Sequence, residues 1–268
     1  MGPTSWRGPT GREGIGFAKR RPMPHGRPMI ERRDWKPEEV LRLTLRVLIG
    51  FVLSGLLQSL VMTQNTAGMH SADSWKALVL GQVCFHGTVV AAMVSFLRNQ
   101  RRSWDQGFGL SAGGSVRAVG MGVLGGMAFL PAAYGLQWGI GTWLKTLGVE
   151  LPAQTAVGIL TEADIWGRSA IFMSAAFGAP WVEELLFRGV AYPFLRDLGW
   201  PRLALWGTAI AFGLIHANLS VLVPLTAFGC LLSLLYQHSG NLLTPIAAHV
   251  TFNTAPFVLL ALDIRLDR

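Results

Sequence analysis

The chain has 268 residues, of which 51% are hydrophobic and only 14% are charged, and its mean hydropathy is +0.39. Because soluble domains carry about 25% charged residues, this composition excludes an ordinary soluble domain and indicates a multi-spanning membrane protein. The formal net charge of +8 does not indicate nucleic-acid binding, since the basic residues concentrate in the first 46 positions and in short loops. Cys84 and Cys230 fall in apolar segments and support neither a disulfide framework nor a cysteine-based metal site.

The first 39 residues are rich in glycine, proline and basic side chains, and no apolar stretch follows at the distance typical of a cleaved signal peptide. We predict a disordered basic cytoplasmic tail over residues 1–39, which can touch anionic lipid.

The rest of the chain is dominated by apolar runs of membrane-spanning length, which predict an all-α, multi-spanning transmembrane helix bundle of about seven or eight spans. Residues 40–165 then hold the N-terminal membrane helices, and residues 166–262 hold a catalytic helix core. The seven runs are 40–62, 75–97, 115–144, 166–195, 203–217, 221–236 and 242–262. Basic residues flank the ends that we assign to the cytoplasm, so we expect a multi-pass protein of the inner or plasma membrane with a cytoplasmic N-terminus. Seven spans place the C-terminus outside, whereas one re-entrant segment reverses that side.

The third apolar run is rich in glycine. Gly122 and Gly126 are four residues apart, as are Gly135 and Gly139. Because residues four apart share a helix face and small residues let membrane helices approach closely, we expect both pairs to lie at helix contacts.

Three charged residues lie in the middle of the fourth run. Glu183, Glu184 and Arg188 would each cost about 2.5–3.5 kcal/mol at bilayer depth, so such residues are functional by default. Spacing of four predicts that Glu184 pairs with Arg188, with the acid in the favourable N-terminal position. Glu183 is left without that partner, so its carboxylate is available as a general base. The alternative is a buried ion network that only fixes helix packing.

Two more polar pairs lie in apolar segments: Phe212 with His216, and His249 with Asn253. Each pair has a spacing of four and therefore shares a helix face. A single membrane histidine is often only a hydrogen-bond partner for a neighbouring helix. Together with Glu183, however, one base, two imidazoles and an amide from three helices form a set that can perform a reaction.

The expected depths support this convergence only in part. Glu183 and His216 are each about 15 residues from the turn near 198–201, which places them at similar heights. His249 follows the turn at 239–240 by about 9 residues, so it is shallower unless that turn is sunk into the membrane.

The sequence Glu-Glu-x-x-x-Arg, then Phe-x-x-x-His, then His-x-x-x-Asn, in this order, resembles the three motifs of the CPBP family. These are the CAAX-protease and bacteriocin-processing membrane proteins, also called Abi, and they include the Rce1-type prenyl endopeptidases. The resemblance covers about residues 179–253. It implies a glutamate-dependent endopeptidase that cuts a peptide bond within the membrane, near the end of a membrane-associated or lipidated substrate.

The resemblance also implies a role for each matching residue. Glu183 and His216 would activate a water molecule, and His249 and Asn253 would donate hydrogen bonds to the oxyanion. The supporting residues would be Glu184, Arg188 and Phe212, with the first two holding the end of the first motif's helix in place.

A zinc enzyme could use the same atoms, with Glu183, His216 and His249 as ligands and one position open for water. Because the zincin pattern H-E-x-x-H is absent, we favour a metal-free form without a cofactor. Haem ligation by the two histidines would not call for the neighbouring acids, but proton-coupled transport and a non-proteolytic immunity or scaffold role stay open. The expected partners are a peptide or membrane-protein substrate and the lipid bilayer, with no nucleic acid; the sequence does not predict an oligomeric state.

Overall fold

The structure, a computed structural model, describes residues 30–65, 74–110, 114–149 and 155–262. All regular elements within these ranges are helical, as predicted. Six helices are long and apolar enough to cross a membrane, by length and composition, which makes the protein a multi-pass membrane protein. They are Pro37–Met62, Ser74–Gln100, Ser115–Thr146, Ile165–Asp197, Leu219–Ser239 and Leu243–Ala261.

The first two helices form an antiparallel pair. They are α1 (Pro37–Asn65) and α2 (Ser74–Gln100). A Cβ placed on Gly81 would lie 2.7 Å from Oε1 of Gln58, and Gly50 is in close contact with Thr88. The earlier residue of α1 thus contacts the later residue of α2, which is the pattern of two antiparallel helices. Three further helices precede the residues of the site: α3 (Trp104–Phe108), α4 (Ser115–Thr146) and α5 (Thr155–Glu162).

A single long helix, Ile165–Asp197, carries the three charged residues; we call it the central helix. Two π-helical segments interrupt its α-helical geometry. Such segments widen the helix and frequently occur at functional sites. In order, the central helix consists of α6 (Ile165–Phe172), π1 (Met173–Gly178), α7 (Ala179–Glu184), π2 (Leu185–Ala191) and α8 (Tyr192–Asp197).

The remaining helices are α9 (Pro201–Leu214), α10 (Leu219–Ser239) and α11 (Leu243–Ala261). The segment predicted to span at 203–217 is the 14-residue helix α9, which is only about 21 Å long and falls short of the ~30 Å hydrocarbon core. The chain reverses after α9 because Ala217 adopts a positive φ of 49° and the Asn218 side chain caps α10. The described residues therefore supply six candidate spans, where we expected seven or eight.

The turn between α10 and α11 is buried beneath α3. The backbone N–H of Leu242 donates to the carbonyl of Phe108 at 3.1 Å, and Gly109 packs directly on the Gly240 carbonyl. Gly109 adopts φ 69°, and this close approach leaves no room for a Cβ. Nε2 of His249 lies 3.7 Å from Oε2 of Glu183, so the expected difference in height between these two side chains is not found.

Residues 30–36 pack against the helices and cover the same end of the bundle; we call them the N-terminal strap. The backbone N–H of Arg33 donates to Oδ2 of Asp197 at 2.8 Å, and the indole N–H of Trp35 donates to the Gly189 carbonyl at 3.2 Å. Ile30 and Trp35 are buried. The predicted disordered tail was assigned through residue 39, but residues 30–36 are packed and α1 begins at Pro37. The first 29 residues of that tail lie outside the described ranges.

Two clusters of buried apolar side chains hold the bundle together. The larger cluster lies at the strap end and includes Trp35, Phe96, Phe108 and Tyr236. The smaller cluster consists of Phe212, Phe228, Leu232 and Ala248, and it surrounds the motif residues.

The two glycine pairs of α4 have different surroundings. Gly122 packs against the Thr244 carbonyl, and a Cβ on Gly126 would lie 2.6 Å from the Ala248 carbonyl, so this pair is at a helix contact as predicted. The prediction is wrong for Gly135 and Gly139, around which the described residues leave open space within 4 Å. A spacing of four places two glycines on one face but does not show whether another helix covers that face.

Candidate active site

The predicted pairing of Glu184 with Arg188 is confirmed. Nη1 of Arg188 lies 2.9 Å from Oε1 of Glu184, and both side chains are 0% exposed. A buried ion pair needs further hydrogen bonds to offset the loss of hydration of its two charges. The surroundings of each partner therefore decide whether the pair is stable.

Arg188 finds these further partners on α10. Its Nη2 donates to the Gly229 carbonyl at 2.8 Å, and its Nε lies 3.4 Å from Oγ of Ser233. The guanidinium also lies over the ring of Phe212, 4.8 Å from the centroid, in a cation–π contact. Gly229 permits this approach because a Cβ there would lie 3.2 Å from Nη2. Arg188 thus joins the central helix to α9 and α10.

Glu184 also fixes the orientation of His249. Nδ1 of His249 lies 2.9 Å from Oε1 of Glu184. A carboxylate oxygen paired with Arg188 accepts hydrogen bonds, so Nδ1 of His249 is the donor and carries a proton. The other carboxylate oxygen, Oε2 of Glu184, is buried with no hydrogen-bond partner in the described part of the chain.

The far side of the His249 ring faces Glu183. Nε2 of His249 lies 3.7 Å from Oε2 of Glu183, whose side chain is 22% exposed. This separation is too long for a direct hydrogen bond, yet one water molecule can contact both atoms. Glu183 therefore differs from Glu184 in being partly exposed and in having no ion pair with an arginine or lysine among the described residues.

His216 lies in the turn after α9 and is exposed. Its Nδ1 lies 2.8 Å from the Phe212 carbonyl, an acceptor, so Nδ1 carries the proton and Nε2 has a free lone pair when the ring is neutral. The buried Phe212 ring contacts both imidazoles, with centroid distances of 5.1 Å to His216 and 5.5 Å to His249. Among the described residues, no hydrogen bond or ion pair joins His216 to Glu183.

Asn253 is attached to the central helix. Its Nδ2 donates to the Ala175 carbonyl at 3.0 Å, and Ala175 lies in π1. A side-chain amide has two N–H donors, so one remains for another acceptor. The structure thus brings Glu183, Glu184, Arg188, Phe212 and His249 into direct contact, adds His216 through the Phe212 ring, and places Asn253 one helical turn beyond His249.

The three residues considered as zinc ligands do not fit a zinc site. Within the ranges that the structure describes, no group of three or more His, Cys, Asp or Glu side chains is arranged to hold a metal ion. Glu183 and His249 approach each other, but His216 contacts neither of them directly and faces them only across Phe212. We therefore derive no step through a metal.

Sequence reasoning missed the contribution of α10 to this site. Gly229 and Ser233 bind the Arg188 guanidinium, and the Ser233 hydroxyl also donates to the Gly229 carbonyl at 3.0 Å. Small and hydroxyl residues are common in membrane helices, so neither gave a signal on its own. The buried arginine, which must find acceptors on a neighbouring helix, was the available clue.

The chain was compared with known proteins and families. Residues 165–255 match a family model described as type II CAAX prenyl endopeptidase, Rce1-like. No match was found among curated proteins or solved structures. The matched segment begins with the central helix and ends just after Asn253, so it contains all three motifs. Residues 165–255 are thus an Rce1-like type II CAAX prenyl endopeptidase domain of the CPBP family, and this multi-pass membrane protein is a peptidase.

Proposed function

We propose that this peptidase is a metal-free, glutamate-dependent endopeptidase that hydrolyses a peptide bond near the end of a membrane-associated or lipidated substrate. The observation that carries the proposal is the facing pair of Glu183 Oε2 and His249 Nε2, 3.7 Å apart within an apolar bundle. Oε2 of Glu183 can accept a proton from a water molecule. The His249 ring, which Glu184 holds in place, can donate a hydrogen bond to the carbonyl oxygen of the substrate.

Glu183 acts as the general base. It takes a proton from water while the water oxygen bonds to the carbonyl carbon, and the carbonyl oxygen becomes an oxyanion. The lone pair on Nε2 of His216 gives the same water a second acceptor and orients it. When the intermediate collapses, the C–N bond breaks and Glu183 returns the proton to the leaving amine.

His249 and Asn253 stabilise the oxyanion. Because Nδ1 of His249 is committed to Glu184, its Nε2 carries a proton only when the ring is an imidazolium. In that form the cluster is neutral, since the charges of Glu183 and Glu184 balance those of Arg188 and His249. The free N–H of Asn253 supplies the second donor, and donors of this kind are each worth about 3–4 kcal/mol to the transition state.

The basic residues of the strap set the orientation. Arg32, Arg33 and Lys36 lie at the end of the bundle that holds the strap, together with Arg196 and Arg202 around the turn after α8. By the positive-inside rule this end faces the cytoplasm, in the inner or plasma membrane. The substrate then reaches Glu183 from the cytoplasmic side or from the bilayer.

The test is cleavage of a prenylated reporter peptide by the purified full chain in proteoliposomes. Glu183→Gln, His216→Ala and His249→Ala should each lower kcat by about 10² or more, which is typical of a lost general base or oxyanion donor. Glu162→Gln, an exposed acid on α5, is the matched control and should cleave normally. Cleavage at the normal rate by all three site variants would contradict the proposal, and a substrate-driven change in vesicle pH without cleavage would favour transport.

A further inference from the structure

A groove between α1 and α2 opens on the outside of the bundle. Its volume is about 620 Å³, which is within the roughly 300–1,000 Å³ typical of small-molecule sites. Small side chains make room for it: Gly50, Ser54, Cys84, Thr88 and Ala91. Ile49 and Leu53 also line the groove and are exposed, so it faces the lipid that surrounds the protein.

The walls of the groove suit a hydrocarbon chain. Thr88 donates its hydroxyl to the Cys84 carbonyl at 2.9 Å and turns its methyl group towards Gly50. The helix backbones on both sides use their own N–H and C=O groups, so a peptide in the groove would find few partners for its backbone. An acyl chain has no such groups and fits these walls better.

A cation and a hydroxyl lie at one end of the groove. Nη1 of Arg46 donates to Oγ of Ser95 at 2.9 Å, and both residues line the groove. In the part of the chain that the structure describes, no carboxylate forms an ion pair with Arg46. Glu39, seven residues earlier on α1, binds Arg42 through Oε1 and Asn99 through Oε2. Most of the five N–H donors of the Arg46 guanidinium are therefore available to an anion.

The length of the groove matches one leaflet of a bilayer. It extends from Arg46 to Leu57, which is eleven residues of helix or about 16 Å. Half of the ~30 Å hydrocarbon core is about 15 Å. The sequence of α1 has no charged residue from 47 to 65, so Arg46 marks the border of its uncharged part. Lipid headgroups meet the hydrocarbon at such a border.

The groove is separate from the candidate active site. Gly178 of the central helix packs against the His86 imidazole of α2, where a Cβ would lie 3.1 Å from Nδ1. Cys84 and Thr88 are each two residues from His86, so they point roughly 160° away from it around α2. A molecule in the groove therefore lies across α2 from the helix that carries Glu183.

We propose that this groove binds one anionic phospholipid, with an acyl chain between α1 and α2 and the phosphate at Arg46 and Ser95. An arginine fork binds phosphate oxygens in pairs, and the Ser95 hydroxyl can donate a further hydrogen bond. Basic pockets between membrane helices are typical sites for anionic headgroups. The lipid group of the peptidase's substrate fits less well, because the groove lies on the far side of α2 from Glu183.

The experiment counts the lipids that the purified full chain retains in a mild detergent, by native mass spectrometry. The sample contains equal amounts of phosphatidylglycerol and phosphatidylcholine with identical acyl chains. The unaltered chain should retain one lipid and prefer phosphatidylglycerol about fivefold. Arg46→Gln should bring this preference close to one. The matched control is Arg117→Gln, which alters an exposed arginine in the first turn of α4 and should keep the fivefold preference.

A second variant tests the position of the acyl chain. Ala91→Trp fills the groove from an exposed position and should reduce retention of both lipids, whereas Ala128→Trp, at an exposed position on α4, should not. Tm values measured without added lipid show whether each variant folds. If Ala91→Trp does not fold, the comparison of Arg46→Gln with Arg117→Gln decides alone.

Four results would overturn the inference. They are equal retention of the two lipids by the unaltered chain, no retention at all, an unchanged preference in Arg46→Gln, and equal loss in both tryptophan variants. Release of the lipid by a stoichiometric amount of prenylated reporter peptide would assign the groove to the substrate instead and would also overturn it. None of these measurements depends on cleavage, so the outcome is independent of the proposed function.

Discussion

His249 donates its Nδ1–H to Oε1 of Glu184 at 2.9 Å, and the same oxygen receives Nη1 of Arg188. One carboxylate oxygen therefore connects α11 to the central helix and holds the ring whose other nitrogen faces Glu183. The two neighbouring glutamates consequently have opposite environments. Glu184 is fully buried and pairs with Arg188 and His249 through Oε1, whereas Glu183 is partly exposed and approaches only His249, at 3.7 Å.

This difference predicts that Glu183→Gln and Glu184→Gln have different effects on stability. Glu184→Gln leaves the buried Arg188 without its counter-charge and should cost about 3–5 kcal/mol. Glu183→Gln leaves the Glu184–Arg188 pair intact and weakens only the 3.7 Å contact with His249, so it should change the free energy of unfolding by less than about 1 kcal/mol while abolishing cleavage. Thermal unfolding in detergent, with cleavage assays on the same samples, measures both. Equal losses of Tm in the two variants would contradict the distinction.

Arg188 offers a second test of the buried pair. Arg188→Met alone leaves Glu184 with one partner fewer in an apolar setting and should cost about 3–5 kcal/mol. The double variant Glu184→Leu/Arg188→Met removes both charges, so its unfolding free energy should exceed that of either single variant. Cleavage should remain low in the double variant, because His249 has lost the acceptor that orients it. Strictly additive losses in the double variant would show that the two side chains are not coupled.

The two glycine pairs of α4, Gly122/Gly126 and Gly135/Gly139, give a matched set of four variants. Gly122→Ala and Gly126→Ala push a methyl group into the backbone of α11 and should destabilise the protein by about 1–3 kcal/mol. Gly135→Ala and Gly139→Ala meet no atom of the described residues and remove a helix-weakening glycine, so each should be neutral or stabilise by up to about 1 kcal/mol. Tm values for the four single variants test this, and destabilisation by all four would mean that the second pair is covered, by another chain or by residues outside the described ranges.

Trp35 links the strap to π2. Trp35→Phe keeps an aromatic ring against Phe96 and Phe108 but removes the N–H that binds the Gly189 carbonyl, and it should cost about 1–3 kcal/mol. Trp35→Ala also leaves a cavity and should cost about 3–5 kcal/mol. Trp104→Phe, a more exposed ring that also contacts Phe108, serves as the control. A strap that is only loosely attached would give Trp35→Ala an unfolding midpoint close to that of the unaltered chain.

A metal-free reaction predicts insensitivity to chelators. Prolonged incubation of the purified protein with a strong zinc chelator should leave kcat unchanged, because Glu183 alone takes the proton from water. Elemental measurement on the same sample should find far less than one zinc per chain. Loss of activity on chelation, with recovery on adding zinc, would overturn the metal-free form.

Local spacing predicted the parts of the site that lie on one helix. The Glu184–Arg188 pair follows from a separation of four residues, and the pairing of Phe212 with His216 follows in the same way. Their combination into one reacting set was predicted from the residue types, and the resemblance to the CPBP motifs, which the match over residues 165–255 confirms, supplied the role of each residue.

Spacing did not predict which helices contact one another. The buried turn before α11, which precedes the helix that brings His249 to Glu183, depends on α3 packing over it. The two π segments and the short α9 also escaped prediction, because apolar composition does not distinguish a regular span from an interrupted or shortened one. The strap was assigned to the tail because its basic composition gave no sign of its distant partners.

The strap has a consequence for how the protein is made. Its hydrogen-bond partners Gly189, Asp197 and Tyr236 follow it by 154, 164 and 203 residues in the chain. The ribosome therefore releases the strap long before any of these partners exists, and the strap must wait beside the growing bundle until α10 has been inserted. A nascent chain at that stage still lacks α11 and His249, so the contact between Glu183 and His249 can form only after all of the strap's partners have been made.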